Sequence, residues 1–301
     1  MATAREIKRR IESVKNIAQV TGALEAVSAS KVRKSQERAL ATRAYAAAAF
    51  EIMIHLGEQA GRDIQHPLLE PRTQVKELAV VLITSDRGLA GPYNSNIVRH
   101  TIDFEQERDL PIRYITVGRK GRDLMVRRGA HITAEFTGLP DTPDIVETTP
   151  VARVFMDDFL SGAVDEVHLA YTDFVNTLSQ IPVVRRILPL QASETGLEQA
   201  EHAYDEQPTA TTAGYLFEPG PEAILEEILP RFTELQLYQA ILEAQASEHS
   251  ARMVAMRNAT ENANALVDDL TLSYNKARQL AITSEMLDIV GGAEALAQEK
   301  T

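Results

Sequence analysis

Residues 231–290 read RFTELQLYQAILEAQASEHSARMVAMRNATENANALVDDLTLSYNKARQLAITSEMLDIV, sixty consecutive positions without a glycine or a proline. Through them runs a repeat of alternating four- and three-residue steps. It begins at Ile228 and passes Phe232, Leu235, Gln239, Leu242, Ala246, His249, Met253, Met256, Thr260, Ala263, Val267, Leu270, Tyr274, Ala277, Ala281 and Ser284. Thirteen of these seventeen positions are apolar, counting Ala and Tyr, so the seam is a sustained heptad rather than a chance run. At about 1.5 Å per residue, such a helix is a rod of roughly 90 Å, too long for a compact domain of this chain to enclose. A rod of that length needs a partner along its seam, because intrinsic propensity stabilises helices only weakly.

The other end of the chain supplies a candidate. From Thr3 to about His55 there is one glycine, Gly22, and no proline, and Ile7, Ile11, Val14, Ala18 and Thr21, then Val32, Ala39, Ala46, Ala49 and Met53, continue a heptad-like stripe. Small residues on one helix (Ala18, Ser28, Ala29, Ser35, Ala39, Ala46) and on the other (Ala246, Ala263, Ala277, Ala281) let two backbones approach closely. The spacing predicts an antiparallel coiled coil of the two chain ends. Bundle helices seldom run past about 25 residues, which disfavours separate packing of each helix.

Between the ends the pattern changes. The apolar run Glu77–Thr84 (ELAVVLIT) is followed by the turn-rich SDRGLAGPYN, a helix over Asn94–Arg108 and a strand over Ile112–Val117. The alternation continues with a helix over Gly118–Arg128, a strand over His131–Phe136, a helix over Ile145–Leu160, and strands over Val164–Phe174 and Pro182–Leu190. Strands alternating with helices predict an open, largely parallel, Rossmann-like α/β sheet. From Gln191 to Ala213 the chain carries five acidic residues and no Lys or Arg, the composition of a mobile acidic linker, and Tyr215–Pro219 (YLFEP) reads as a short docking segment. The expected organisation is a coiled-coil helix over 1–57, an α/β foot domain over 70–190, the linker over 191–213 and a second coiled-coil helix over 214–291.

Composition narrows the function. The chain has 301 residues, 44% of them apolar, and no run of eighteen apolar residues that would span a bilayer. With no cysteine, disulfides, thiol chemistry and thiolate metal sites are excluded. The first forty-five residues hold ten Lys and Arg against four Glu, whereas the whole chain carries −12, so the amino-terminal helix faces something acidic or is basic to stay solvated. Glu6, Glu12 and Glu25 interrupt what would otherwise resemble a transit peptide, and residue 1 reads as the mature start.

Candidate chemistry is sparse. Ser85–Gly91 (SDRGLAG) sits between a strand and a helix, where α/β proteins bind phosphate, yet it has neither the GxGxxG nor the GxxxxGK pattern, and a tight turn is expected. Gly118-Arg119-Lys120-Gly121 has the outline of a nucleic-acid GxxG clamp without the rest of that module, so a solvated helix start is expected and no nucleic acid. The seven histidines never fall at helical metal-pair spacing, and His249 on the seam reads as a register-fixing polar residue. Asp157-Asp158 and Asp268-Asp269 point about 100° apart on a helix and cannot simply share a substrate. These readings leave no catalytic, cofactor or metal residue. From periodicity alone a coiled-coil scaffold ranks first, with a nucleotide-using α/β enzyme as the other class.

The opening REIKRRIESVKNIAQVTGALEAVSASKVRKSQERA, the central ITSDRGLAGPYNSNI and the closing ASEHSARMVAMRNATENANALVDDLTLSYNKARQLAITSEMLDIVGGAEAL closely resemble the gamma subunit of F-type ATP synthase. That resemblance implies a non-catalytic rotor shaft: a coiled coil inside a ring of alternating alpha and beta subunits, with an α/β foot on the membrane c-ring and the epsilon subunit as a further partner. It implies a peripheral membrane location on the cytoplasmic side of a bacterial plasma membrane, no cofactor, and coupling of ion flow to ATP synthesis or hydrolysis in the beta subunits. By resemblance, Leu24, Arg278, Gln279 and Thr283 meet the acidic moving loop of the beta subunits, and Tyr215 and Glu218 meet the c-ring. Gly22 and Leu24 replace the lysine and methionine usual in their motif, and Ala90 replaces a common cysteine. The linker occupies the place of a cysteine-bearing regulatory insert in plastid relatives, so thiol regulation is excluded here.

Overall fold

A computed structural model describes residues 3–60, 66–190 and 221–298, with side chains in 3–38, 66–190 and 224–291. The acidic linker and the YLFEP segment, with Tyr215 and Glu218, lie outside the described residues. In chain order the elements are α1 (Ala4–Ala60), β1 (Leu78–Ile83), α2 (Tyr93–Arg108), β2 (Ile112–Val117), α3 (Arg119–Arg128), β3 (Ile132–Phe136), α4 (Ile145–Leu160), β4 (Glu166–Phe174), β5 (Gln180–Leu188) and α5 (Pro221–Gln298). They fall into two compact units: residues 1–27 with 253–301, and residues 28–252.

In the first unit the start of α1 lies antiparallel to the end of α5. Helix α1 opens with a capping box in which the Thr3 N–H donates to Glu6 Oε2 (2.9 Å) and the Glu6 N–H to Thr3 Oγ1 (3.4 Å). The hydroxyls of Thr21 and Thr260 share a 2.7 Å hydrogen bond, and Arg257 donates to Glu25 across 2.9 Å. Advancing along α1 thus means retreating along α5, which fixes the antiparallel direction. On α1 the sheltered residues include Ala4, Ile7, Ile11, Val14, Ala18, Thr21 and Glu25, flanked by Gly22 and Leu24, and on α5 Met256, Thr260, Ala263, Val267, Leu270, Tyr274 and Ala277, flanked by Met253, Val254, Ala255 and Ala259. Both sets keep the three- and four-residue steps of a coiled-coil seam, as expected from the sequence. Ala281 and Ser284, the last seam positions read from the sequence, are exposed. Gly22 sits on the seam side, where an added Cβ would meet only Thr260 Cγ2 at 4.0 Å.

The second unit is a three-layer α/β/α structure. Its five-stranded sheet has the order β3-β2-β1-β4-β5, with four parallel strands and β5 antiparallel at one edge. The central strand β1 (LAVVLI) is buried on both faces, which is why it reads as a continuous apolar run rather than an alternation. Ala79, Val81 and Ile83 point to the layer formed by α4 and the first half of α5, where Phe155, Phe159, Leu237 and Ile241 lie. Leu78, Val80 and Leu82 point to α2 and α3 through Ile97 and Met125.

Helix α5 departs from the sequence reading in two ways. It extends past the glycine- and proline-free stretch at both ends, running through Pro230 and through Gly291-Gly292. Pro230 removes one ladder hydrogen bond, but Leu225, Leu229 and Phe232 around it are all buried, and tertiary packing keeps the helix continuous. Its first half is also enclosed by the α/β unit after all. Leu237, Ala240, Ile241 and Ala244 face the sheet while the seam residues Leu235, Leu242 and Ala246 are buried on the other side. A helix apolar on every face is a core helix. The off-seam Leu237 and Ile241 were the sequence signal for it.

Candidate functional site

The SDRGLAG loop leaves β1 at the carboxyl end of the sheet, the position at which open α/β folds bind ligands. Here the loop closes the α3 amino terminus with its own groups. Asp86 accepts the Arg119 N–H (2.9 Å) and the Gly138 N–H (2.8 Å), the Ser85 carbonyl accepts the Lys120 N–H (3.0 Å), and Thr84 Oγ1 accepts the Gly121 N–H (2.8 Å) while donating to the Val117 carbonyl (3.1 Å). The carboxylate of Asp86 therefore occupies the spot where a phosphate would accept the same helix amides. This agrees with the expected tight turn and argues against a dinucleotide mode. The GRKG string is a helix start, as expected, but its glycines answer a steric demand. A Cβ on Gly118 would stand 2.2 Å from the Thr84 carbonyl oxygen, at φ +97°, and one on Gly121 2.6 Å from Thr84 Oγ1.

Next to this loop lies a cavity of about 420 Å³, bounded by the ends of β1, β2 and β3, by the segment 138–141 and by one face of α5. Helix α5 contributes Ile241, Ala244, Gln245, Glu248 and His249. Tyr93 helps close it, its buried hydroxyl donating to the Ala244 carbonyl (3.0 Å), and burial raises its pKa well above the ordinary value. Glu248 accepts from Arg252 at 2.6 Å, and Arg252 also donates to the Gly88 carbonyl at 3.2 Å, clasping α5 to the loop. Burial raises the Glu248 pKa, against the pull of Arg252. Burial also works against the charge of Asp141, but Lys31, bonded to it at 2.6 Å, holds that carboxyl below its ordinary value. His249 is 2% exposed, and burial, reinforced by Arg252, lowers its pKa to about 4. The polar seam residue read from the sequence is thus a neutral imidazole between Arg252 of its own helix and Asp141 of the loop after β3, whose carboxylate is 4.0 Å away. Its environment was illegible because Lys31, Asp141 and His249 are far apart in the chain.

The four residues expected to meet beta subunits all belong to the first unit. Leu24 is half-buried on α1, and Arg278, Gln279 and Thr283 are exposed on α5, where the Thr283 hydroxyl bonds back to the Gln279 carbonyl (2.9 Å). They do not converge. From Thr260, opposite Thr21, to Arg278 is roughly 27 Å of helix. Exposed apolar residues off the heptad seam lie between and beyond them: Ile17, Val20 and Val27 on α1, and Leu266, Leu272, Leu280, Met286 and Leu287 on α5. Among the described residues no group of His, Asp and Glu is arranged to hold a metal ion, and no helix is long and apolar enough to cross a membrane.

Residues 3–296 match the family model described as ATP synthase. The ATP synthase gamma chain of Dehalococcoides mccartyi strain CBDB1 is 49% identical over 99% of this chain and 100% of its own length. That of Roseiflexus castenholzii is 48% identical over the same shares, and that of Chloroflexus aurantiacus strain J-10-fl is 46% identical over 98% of this chain and 99% of its own. Among solved structures, a chain of the Euglena gracilis mitochondrial ATP synthase in rotational state 3 superposes with TM-score 0.68 at 19% identity, covering 99% of this chain and 96% of that one. A chain of the central stalk and c-ring structure of the Tetrahymena thermophila mitochondrial enzyme gives TM-score 0.61 at 24% identity, over 80% and 99%. At these identities the structural likeness speaks to the fold.

Proposed function

The chain belongs to the ATP synthase gamma chain family, and from that premise we propose that it is the rotating, non-catalytic shaft of such an enzyme. The paired helices of the first unit turn inside a ring of alpha and beta subunits, and the α/β unit sits toward the c-ring and the epsilon subunit. The whole is peripheral to the membrane, on the cytoplasmic side of a bacterial plasma membrane. The observation that carries this reading is the first unit's two-sided character. One face of each helix is a sheltered heptad seam, while large apolar side chains off the seam, such as Leu272 at 70% exposure and Met286 at 62%, stand in solvent in the isolated chain. Leu280, Met286, Leu287, Ile289 and Val290 add to that exposed apolar surface at the end of α5, and a concentration of exposed apolar side chains on one segment favours an interaction site.

The mechanism follows from asymmetry. The helix pair presents different faces to partners that are otherwise equivalent, so each orientation favours a different conformation in each partner by differential contact. Leu24, Arg278, Gln279 and Thr283 are the proposed contacts with the beta subunits. Their spread along the helices suits successive levels of a surrounding ring better than one pocket. Tyr215 and Glu218 are the proposed contacts with the c-ring. Torque requires a helix that resists breaking, and Leu270 and Ala277 lie on the seam within the unbroken part of α5. Replacing both by proline removes two ladder bonds and two seam contacts, each proline costing about 3 kcal/mol in a helix interior. Proton-driven ATP synthesis in reconstituted vesicles is expected to be abolished, and its survival at the wild-type rate would overturn the proposal.

A further inference from the structure

The cavity beside the SDRGLAG loop is lined by groups that the shaft role does not use. Its volume, about 420 Å³, falls within the range of small-molecule sites. Ile83, Val117, Phe136, Leu139 and Ile241 give it apolar walls. Two residues that line it on successive turns of α5 each carry a buried polar atom without a hydrogen-bond partner, Gln245 Oε1 and His249 Nε2.

The character of each atom can be assigned. The Gln245 amide donates through Nε2 to the Pro140 carbonyl at 2.9 Å, leaving its oxygen as a bare acceptor. Arg252 Nη1 lies 3.4 Å from His249 Nδ1, and a guanidinium can only donate, so Nδ1 accepts. The ring is neutral, which puts its single proton on Nε2, a donor with no hydrogen-bond acceptor in reach, the Asp141 carboxylate standing 4.0 Å away. An acceptor and a donor on successive turns of one helix suit a ligand that carries both an N–H and a C=O, and a lactam is a compact planar group that carries both. The charges lining the cavity are divided unevenly. Asp86 is held by two backbone amides, Asp141 by Lys31 with a weaker pull from Arg87, and Glu248 by Arg252, whereas Arg87 and Arg119 line the cavity exposed and form no close ion pair among the described residues.

We propose that this cavity binds a small planar lactam bearing a negative charge, with the lactam edge on Gln245 and His249, the ring between the apolar walls and the anionic group toward Arg87 and Arg119. All of these residues lie in the 28–252 unit, so the proposal stands or falls independently of the rotary role.

The test uses the full-length chain and three probes: orotate, a pyrimidine lactam with a carboxylate; uracil, the same ring without it; and benzoate, a carboxylate without the lactam. Titration calorimetry is expected to show one orotate per chain with Kd of about 1 mM or tighter, uracil weaker by about tenfold, and benzoate weaker still. Gln245→Met and His249→Phe, each removing one bare atom at similar volume, are each expected to weaken orotate by about tenfold or more, because the ligand group is left without its partner. Arg87→Ala, on an exposed side chain that leaves folding intact, is expected to bring orotate down to the uracil level. Failure of orotate and uracil to bind at about 10 mM would overturn the proposal. So would equal binding by wild type and all three variants, or a structure at that concentration with only ordered water on Gln245 Oε1 and His249 Nε2.

Discussion

At the scale of single residues, the same substitution has opposite consequences at two glycines. Gly22 lies in a helix with room for a methyl group, and alanine there is expected to stabilise the chain by about 1 kcal/mol, because glycine loses more backbone entropy on folding. Gly118 has φ +97° and a carbonyl oxygen where a Cβ would go, so alanine there is expected to cost about 3 kcal/mol or more. Chemical denaturation of the two variants beside wild type checks both signs. His249 gives the molecule a pH dependence. Its folded pKa of about 4 is below the ordinary value of 6.5, so the unfolded chain takes up a proton that the folded chain refuses. Stability contributed by the neutral ring is full above about pH 6.5 and is lost progressively down to about pH 4, by roughly 3 kcal/mol. Asp141 opposes this shift, while Arg252 and Lys31 deepen it. Glu248, with its raised pKa, acts with the opposite sign as acid is added. Comparing His249→Gln with wild type at pH 7.5 and pH 4.5 isolates the histidine: the variant is expected to show the smaller acid loss.

At the scale of elements, α5 changes role along its length. Residues 224–250 form a core helix of the α/β unit, and residues 256–277 form half of a two-stranded seam. Arg252 stands at the junction, bonded to Glu248 and to the carbonyl of Gly88. Truncating it by Arg252→Ala leaves the Glu248 carboxylate with little access to water and no cation, which is expected to cost about 2–4 kcal/mol. Adding Glu248→Gln removes the stranded charge and is expected to recover part of that loss. Amide hydrogen exchange in residues 85–91 is the local readout, expected to quicken in the single variant and to slow again in the double.

At the scale of the whole molecule, the exposed apolar residues of the first unit separate folding from assembly. Leu280 and Leu287 are 55% and 67% exposed, so asparagine at both positions is expected to change stability by no more than about 0.5 kcal/mol per site. If the pair of helices turns inside a subunit ring, the same double variant is expected to co-purify poorly with the other ATP synthase subunits. A melting curve and a pull-down, made on one preparation, test the two halves of that statement.

Local sequence determined a good deal by itself. Every strand and helix between residues 77 and 190 was legible to within a few residues, because apolar runs of strand length and amphipathic helix patterns are bounded by Gly, Pro and Asp in turns, as at Gly118, Gly129 and Asp144. The heptad seam was legible from Ile7 to Thr21 on α1 and from Met256 to Ala277 on α5, since its period is set by helix geometry alone, whereas Ala39, Ala46, Ala49 and Met53 lie among residues whose side chains are not described. Tertiary structure alone decided three things. It carried α5 through Pro230, because buried neighbours outweigh one lost hydrogen bond. It put Asp86 in the place of a phosphate, because one carboxylate can reach two helix and loop amides only after β1, β2 and β3 align. It gathered Asp141, Gln245 and His249 around one cavity and set Lys31 on Asp141 and Arg252 on His249, because contacts between residues far apart in the chain leave no periodic trace in it.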